Sequence, residues 1–209
     1  MSAEGAARTR QRRGAELRRH ILFTAKDVFL QTGYERASMD TVAARAGTSK
    51  RSLYAHFESK DRLFLAVLDL VRELYLVKLK TPDAYAGDPA EAVALFCGRF
   101  LQLMTWDAQV RTCRLCIAEA ERLPGSSSAY FDAIFTSTRE ILTAYLADHY
   151  DVDAEPLAED LLARTVLPRL FRTLLNVEDP RKGDPGEEVL PEAVDLPAIR
   201  RLVSETLPS

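Results

Sequence analysis

Residues 47–57, GTSKRSLYAHF, decide how this chain is read. Leu53 and Phe57 stand four residues apart, as on the buried side of a short helix, yet Lys50 and Arg51 fall in that helix's first turn. The free N–H groups there carry roughly half a positive charge, so cations in that turn cost about a few tenths of a kcal/mol. With Lys50 at the origin and about 100° per residue, Leu53 and Phe57 fall near about 300° and 340° and mark the core side. Arg51, Ala55 and Ser52 then face away from the core, flanked by Tyr54 and His56. That outward face suits a DNA major groove. An Arg pairs bidentately with guanine, a Tyr or Ala approaches a thymine methyl, and Ser, His and Lys hydrogen-bond phosphates. The cations are explained if the anion arrives from outside as phosphate, with Lys60 at the start of the next helix adding to the same field. The bland alternative is a small surface helix whose polar residues are merely solvated.

Upstream, Leu17, Ile21, Leu22, Ala25, Val28 and Phe29 share one face of an amphipathic helix that should stop at Gly33. Ser38 reads as the N-cap of a short helix, MDTVAARA, which ends at Gly47, and Thr48 or Ser49 caps the next. Two short helices joined by a Gly-containing turn, the second basic on its outer side, follow the helix-turn-helix plan. Residues 1–13 are polar, Arg-rich and without periodicity, and are expected to form a disordered basic arm.

The charge pattern agrees. Residues 1–62 hold 13 Lys and Arg against 7 Asp and Glu, whereas residues 63–209 hold 15 against 24. A basic end on an acidic body suggests a terminal module for a polyanion. With 209 residues, 47% of them apolar, the chain can bury a sizeable core. No stretch approaches the roughly 18 apolar residues of a membrane span and no signal-peptide pattern opens the chain, so a cytoplasmic location is expected. Three cysteines do not suggest a disulfide framework.

Beyond Ser59, which caps a long fourth helix, helical patterns recur over Pro89 to Met104, Ala108 to Arg122, Ser128 to Tyr150, Pro156 to Asn176 and Ala198 to Thr206. No stretch alternates long enough for a strand. The expected fold is all-α. Residues 176–197, with four prolines and two glycines, are expected to be a mobile surface loop.

The phrase SMDTVAARAGTSKRSLYAHFESKDRLF, residues 38–64, resembles the N-terminal signature of the TetR family of bacterial transcriptional regulators, and the likeness covers about Leu17 to Leu68. The resemblance implies a helix-turn-helix DNA-binding domain over residues 14–64 and a helical effector-binding and dimerisation domain over residues 65–209. It also implies that Ser38 and Ser52 touch phosphates, that Lys50, Arg51 and Tyr54 reach bases with the capping Ser49 beside them, and that His56 and Lys60 clamp the backbone. Two departures stand out: Thr48 where the family usually has an aliphatic residue, and Arg51 where it often has a small one. The implied partners are a near-palindromic double-stranded DNA operator, a second copy of the chain and a small-molecule effector that releases a repressor from its operator. No membrane partner is expected. RTVLPRLFRTLL, with Pro168 inside a helical pattern, resembles a dimerisation helix of one branch of the family.

Phe96, Phe100, Met104, Trp106, Tyr130, Phe131 and Phe135, with Cys113, are candidate lining for an effector cavity, although such spacing equally describes plain core. Arg99, Arg111 and Arg114 are possible partners for an anionic effector or members of surface ion pairs. Cys113 and Cys116 form a CxxC step with Cys97 on the preceding helix, a pattern open to core filling, redox sensing or half a metal site. Zinc wants about four ligands and only His149 is an obvious addition, so neither a metal nor a cofactor is expected. Two alternatives stand beside this reading: a DNA-binding regulator without a small-molecule effector, and a small helical enzyme using Cys113 or His149, for which no nucleophile, base and orienting group stand together in the pattern.

Overall fold

The computed structural model describes residues 3–183, 185–189, 192 and 194–208, with side chains described from Arg13 onward. Ten α-helices are found among them: α1 Ala3–Arg36, α2 Met39–Arg45, α3 Lys50–His56, α4 Lys60–Lys78, α5 Pro89–Met104, α6 Asp107–Ala118, α7 Pro124–Phe131, α8 Ser137–His149, α9 Ala154–Leu174 and α10 Leu196–Thr206. A π-helical turn, Asp132–Thr136, joins α7 directly to α8. No strand occurs among the described residues beyond an isolated bridge between Trp106 and Arg181.

Two compact units are formed. The first runs through Val71 and takes in Ala118–Ala129; the second comprises Arg72–Ile117 and the chain from Tyr130 onward. The division falls inside α4.

In the first unit α1, α2, α3 and α4 close on Ile21, Val28, Phe29, Val42, Leu53, Leu63 and Phe64, all buried. Phe29 and Tyr34 meet Phe64 edge-on, with ring centroids 5.0 and 5.1 Å away. Met1 and Ser2 lie outside the described residues, but from Ala3 the backbone expected to be a disordered arm continues α1. Its Ala, Arg, Gln and Glu content favours helix strongly enough to extend the helix that follows. At Gly33 α1 does break, with φ of 78°, before one further turn to Arg36.

The second unit is organised around α5, whose residues Phe96 through Met104 are all buried. A helix buried on every side belongs at a core, and α5 packs against both α9 and α10. Arg99 is buried within it. Its guanidinium donates to Lys78 O at 3.0 Å, Gln102 Oε1 at 2.6 Å, and the carbonyls of Pro185, Gly186 and Glu188 at 3.0, 2.6 and 3.2 Å. A buried cation demands hydrogen bonds from whatever lies nearby, and here the loop after α9 supplies three. Gly98 leaves the space beside it, since a Cβ there would lie 3.2 Å from Val189 Cγ1. The described part of the 176–197 loop is thus fastened to α5, contrary to the expectation of a mobile surface loop; Asp184, Leu190, Pro191 and Ala193 lie outside the described residues.

Candidate nucleic-acid interface

The turn before α3 is built from local hydrogen bonds. Ala46 ends α2, Gly47 follows at φ of 60°, and the N–H groups of Gly47 and Thr48 return to Ala44 O at 3.3 Å and Ala43 O at 3.0 Å. That pairing is a Schellman motif, which requires a residue at ease with positive φ and so selects glycine. Thr48 contributes through its backbone, and the turn closes without an aliphatic side chain there. Ser38 Oγ accepts from Thr41 N and Ser49 Oγ from Ser52 N, each at 3.1 Å, so both serines cap the helices that follow them.

Leu53 is fully buried and Phe57 nearly so, which fixes the roll of α3. Arg51, Tyr54 and Ala55 are exposed in consequence, Tyr54 by 49%, while Ser52 and His56 are partly exposed. Arg51 makes no hydrogen bond or ion pair among the described residues. Lys50 leans back from the helix start to Asp40, with Nζ 2.6 Å from Oδ2, an exposed pair that water and phosphate can readily exchange. Of the three residues expected to face away from the core, Arg51 and Ala55 are exposed and Ser52 is only partly so, while Tyr54, expected on the flank, is exposed as well.

Lys60 stands otherwise. Its ammonium donates to the carbonyls of Tyr34, Glu35 and Ala37 at 3.0, 3.3 and 3.1 Å, which occupies all three N–H groups at the end of α1. It also lies 4.3 Å from the centroid of the Tyr34 ring. The expected phosphate clamp is in this structure a helix C-cap, because orphan carbonyls at a helix end attract a cation as a phosphate would.

In the second unit the aromatic candidates form a chain. Phe100 meets Tyr75 and Phe135 with centroids 6.3 and 5.9 Å apart, and Phe135 meets Tyr130 and Phe131 at 6.5 and 5.3 Å. Phe96 and Met104 are fully buried beside them in α5, whereas Phe131 is largely exposed. Two neutral hydrogen-bonded pairs lie along it: Tyr75 Oη shares a 2.7 Å hydrogen bond with Thr138 Oγ1, and Gln109 Nε2 donates to Tyr130 Oη at 2.8 Å. Trp106 stands apart, its indole N–H donating to Gly183 O in the fastened loop. Sequence reading missed Tyr75, Gln109 and Thr138; Gln109 could have been found one helical turn before Cys113 on the same face of α6.

The three arginines considered for an anionic effector have partners within the chain. Arg99 holds the loop, Arg111 pairs with Asp107 at 3.0 Å, and Arg114 donates to Thr173 O and Leu174 O at the end of α9.

Residues 21–67 match the model for bacterial regulatory proteins of the tetR family, and residues 91–152 match that for the C-terminal domain of AefR-like transcriptional repressors. This chain belongs to the TetR family. The transcriptional activator FasR of Mycolicibacterium smegmatis is 53% identical over 53 residues, 25% of this chain and 24% of FasR. The regulator RutR of Escherichia coli is 35% identical over 95 residues, 44% of this chain and 43% of RutR. The matched region thus spans under half the length of either relative. A TetR-family regulator from Mesorhizobium loti has the same fold, with a TM-score of 0.72 and 19% identity over 93% of this chain and 96% of that one. The flavonoid-responsive regulator FrrA gives 0.71 and 22%, over 92% and 93%.

In this TetR-family chain the cysteines are buried. Burial pushes the thiols of Cys97 and Cys116 up to about 12 and that of Cys113 above its ordinary value, a poor setting for a nucleophile or redox sensor, both of which need thiolate. His149 is exposed, stacked on Tyr145 with Nδ1 2.9 Å from Tyr145 O. Among the described residues no group of three or more metal-binding side chains assembles, and no helix is long and apolar enough to cross a membrane.

Proposed function

We propose that the chain is a DNA-binding transcriptional regulator that acts as a homodimer on a near-palindromic operator and represses until a small molecule releases it. The observation that carries this reading is the α3 face: Arg51, Tyr54 and Ala55 exposed together on a helix whose roll is fixed by Leu53 and whose start is set by the Gly47 turn. A helix so presented enters a major groove, where Arg51 reads guanine and Tyr54 or Ala55 meets a thymine methyl. Ser38, Ser49, Ser52 and His56 lie at or beside the caps and serve the backbone. One short helix reads too few base pairs for useful specificity, so two copies act on half-sites about 34 Å apart or a multiple of it.

Dimerisation is supported by α9. Leu167, Phe171 and Leu175 recur every four residues along it and its end, and are 38, 57 and 73% exposed. Such a stripe belongs at an interface. Control by an effector is supported by the aromatic chain in the second unit with the Tyr75–Thr138 and Gln109–Tyr130 hydrogen bonds along it, the usual chemistry of a small-molecule site. Only a molecule that binds the DNA-incompetent state better can release the operator. The rival enzyme reading finds no support in Cys113, whose buried thiol stays protonated. Footprinting of the purified protein on genomic DNA, with its own upstream region included, tests the proposal: a protected near-palindrome is expected, and salt-sensitive binding without a preferred site would refute it.

A further inference from the structure

The family match begins at residue 21, so the part of α1 over residues 3–20 lies outside it. That part holds six arginines against two glutamates. Before Leu17 it has no apolar residue larger than Ala and therefore no face to bury. At Gly14 an added Cβ would meet nothing within 4 Å. So short a helix with nothing to pack on is marginal in water, yet the backbone is helical from Ala3 and runs unbroken to the kink at Gly33. Arg18 marks where this stretch leaves the core: its Cζ lies 5.0 Å from the centroid of Phe57, the residue that ends α3. From Arg18 back to Ala3 the helix runs about 22 Å. Arg8, Arg12 and Arg19 stand at spacings of 4 and 7, which at 3.6 residues per turn keeps them within about 40° of one line along it. The line ends on the packed part of α1, where Arg19 Cζ lies 5.5 Å from the centroid of the Phe23 ring.

We propose that residues 3–16 of α1 are a second DNA contact, a basic helical arm that lies against the phosphates flanking the half-site read by α3. The proposal rests on the reading of α3 above. Duplex DNA is the polyanion the geometry favours, since the arm and α3 belong to one compact unit and α1 meets the end of α3 at Arg18 and Phe57. The arm holds no aromatic residue to stack on a base, and a helix about 10 Å across does not enter a minor groove about 6 Å wide. What remains to it is phosphate, where its arginines release counterions and add affinity without sequence preference. DNA in turn steadies a helix that no core supports.

The test compares the parent 209-residue chain with a variant carrying Arg8→Gln, Arg10→Gln, Arg12→Gln and Arg13→Gln, changes that keep helix propensity and precede the first large apolar position. Anisotropy titrations are run at several salt concentrations on the footprinted site with long flanks, on the same site trimmed, and on a random duplex. On long flanks the variant should bind about ten- to a hundredfold more weakly at low salt, with the slope of log affinity against log salt smaller by about 2 to 4 per bound chain. The ratio of operator to random affinity should stay within about twofold, because phosphates carry no sequence. Trimming the flanks should weaken the parent by a similar factor and the variant little. Hydrogen–deuterium exchange over residues 3–16 should slow at least about threefold when the parent binds DNA. An unaltered slope refutes the arm, as does exchange over residues 3–16 that DNA leaves unslowed. A variant that loses the operator but keeps random DNA would overturn the phosphate role, and one that differs from the parent only on RNA or anionic vesicles would assign the arm to another polyanion. Gly14→Pro keeps every charge and breaks the helix, so it should lose most of the gain from the flanks; parent-like binding would overturn the helical arm. If no preferred site is found, or Arg51→Ala leaves operator binding intact, the reading of α3 fails, while the salt slope on the random duplex still decides the arm.

Discussion

The ammonium of Lys60 sits 3.0 Å from the carbonyl oxygen of Tyr34 and 4.3 Å from the centre of the same residue's ring. One cation thus answers the dipole of α1 and the face of its last aromatic residue. Replacing Lys60 by Ala should loosen the first unit, by about 1 kcal/mol for a partly exposed charged cap. The dependence of DNA affinity on salt should keep its slope, since a lost phosphate contact would lower it by about 1. Urea denaturation and binding titrations at several salt concentrations check both outcomes.

Arg51 is the side chain with the most to gain from DNA, being exposed and without a partner among the described residues. Arg51→Ala should weaken binding to the specific operator by about 1 to 3 kcal/mol and binding to random DNA much less. Equal losses on the two would assign Arg51 to phosphates.

Phe171 lies at the centre of the exposed α9 stripe. A charge there should prevent burial against a second copy, so Phe171→Glu is expected to sediment as a monomer at concentrations where the parent is a dimer, with its helical content kept. A dimeric Phe171→Glu would place the interface elsewhere.

Gly47 has open space where a Cβ would go, yet its φ is 60°. Gly47→Ala should therefore cost about 1 kcal/mol from backbone conformation alone, read as a shift in the denaturation midpoint. A neutral result would mean that the turn relaxes out of the left-handed region.

Cys97 and Cys116 hold their protons up to about pH 12 in the folded chain, while an unfolded thiol loses its proton near about 8.5. Above that point the unfolded state binds fewer protons than the native one, so stability should fall as pH rises from about 8.5 toward 12. Thiol-reactive dye should label these residues slowly at neutral pH, and mild peroxide should leave operator affinity unaltered. Rapid labelling would show a thiol more accessible than its burial implies.

The helix-turn-helix could be read from the chain because its determinants are neighbours in it. Ser38 and Ser49 bond N–H groups three residues on, Gly47 meets a backbone need of its own turn, and the spacing of Leu53 and Phe57 sets which face of α3 looks outward. Periodicity and capping act within one or two helical turns, so sequence order already holds them. The roles of Lys60, Arg99 and Arg114 were decided by tertiary structure alone. A long cation on a helix surface reads the same whether it meets a phosphate, an effector or a helix end. Packing brings Tyr34 O to Lys60, the 185–188 carbonyls to Arg99 and the end of α9 to Arg114. Each of those partners is a backbone carbonyl, a group that any sequence could offer, so their pairing is specified by the fold and by no motif.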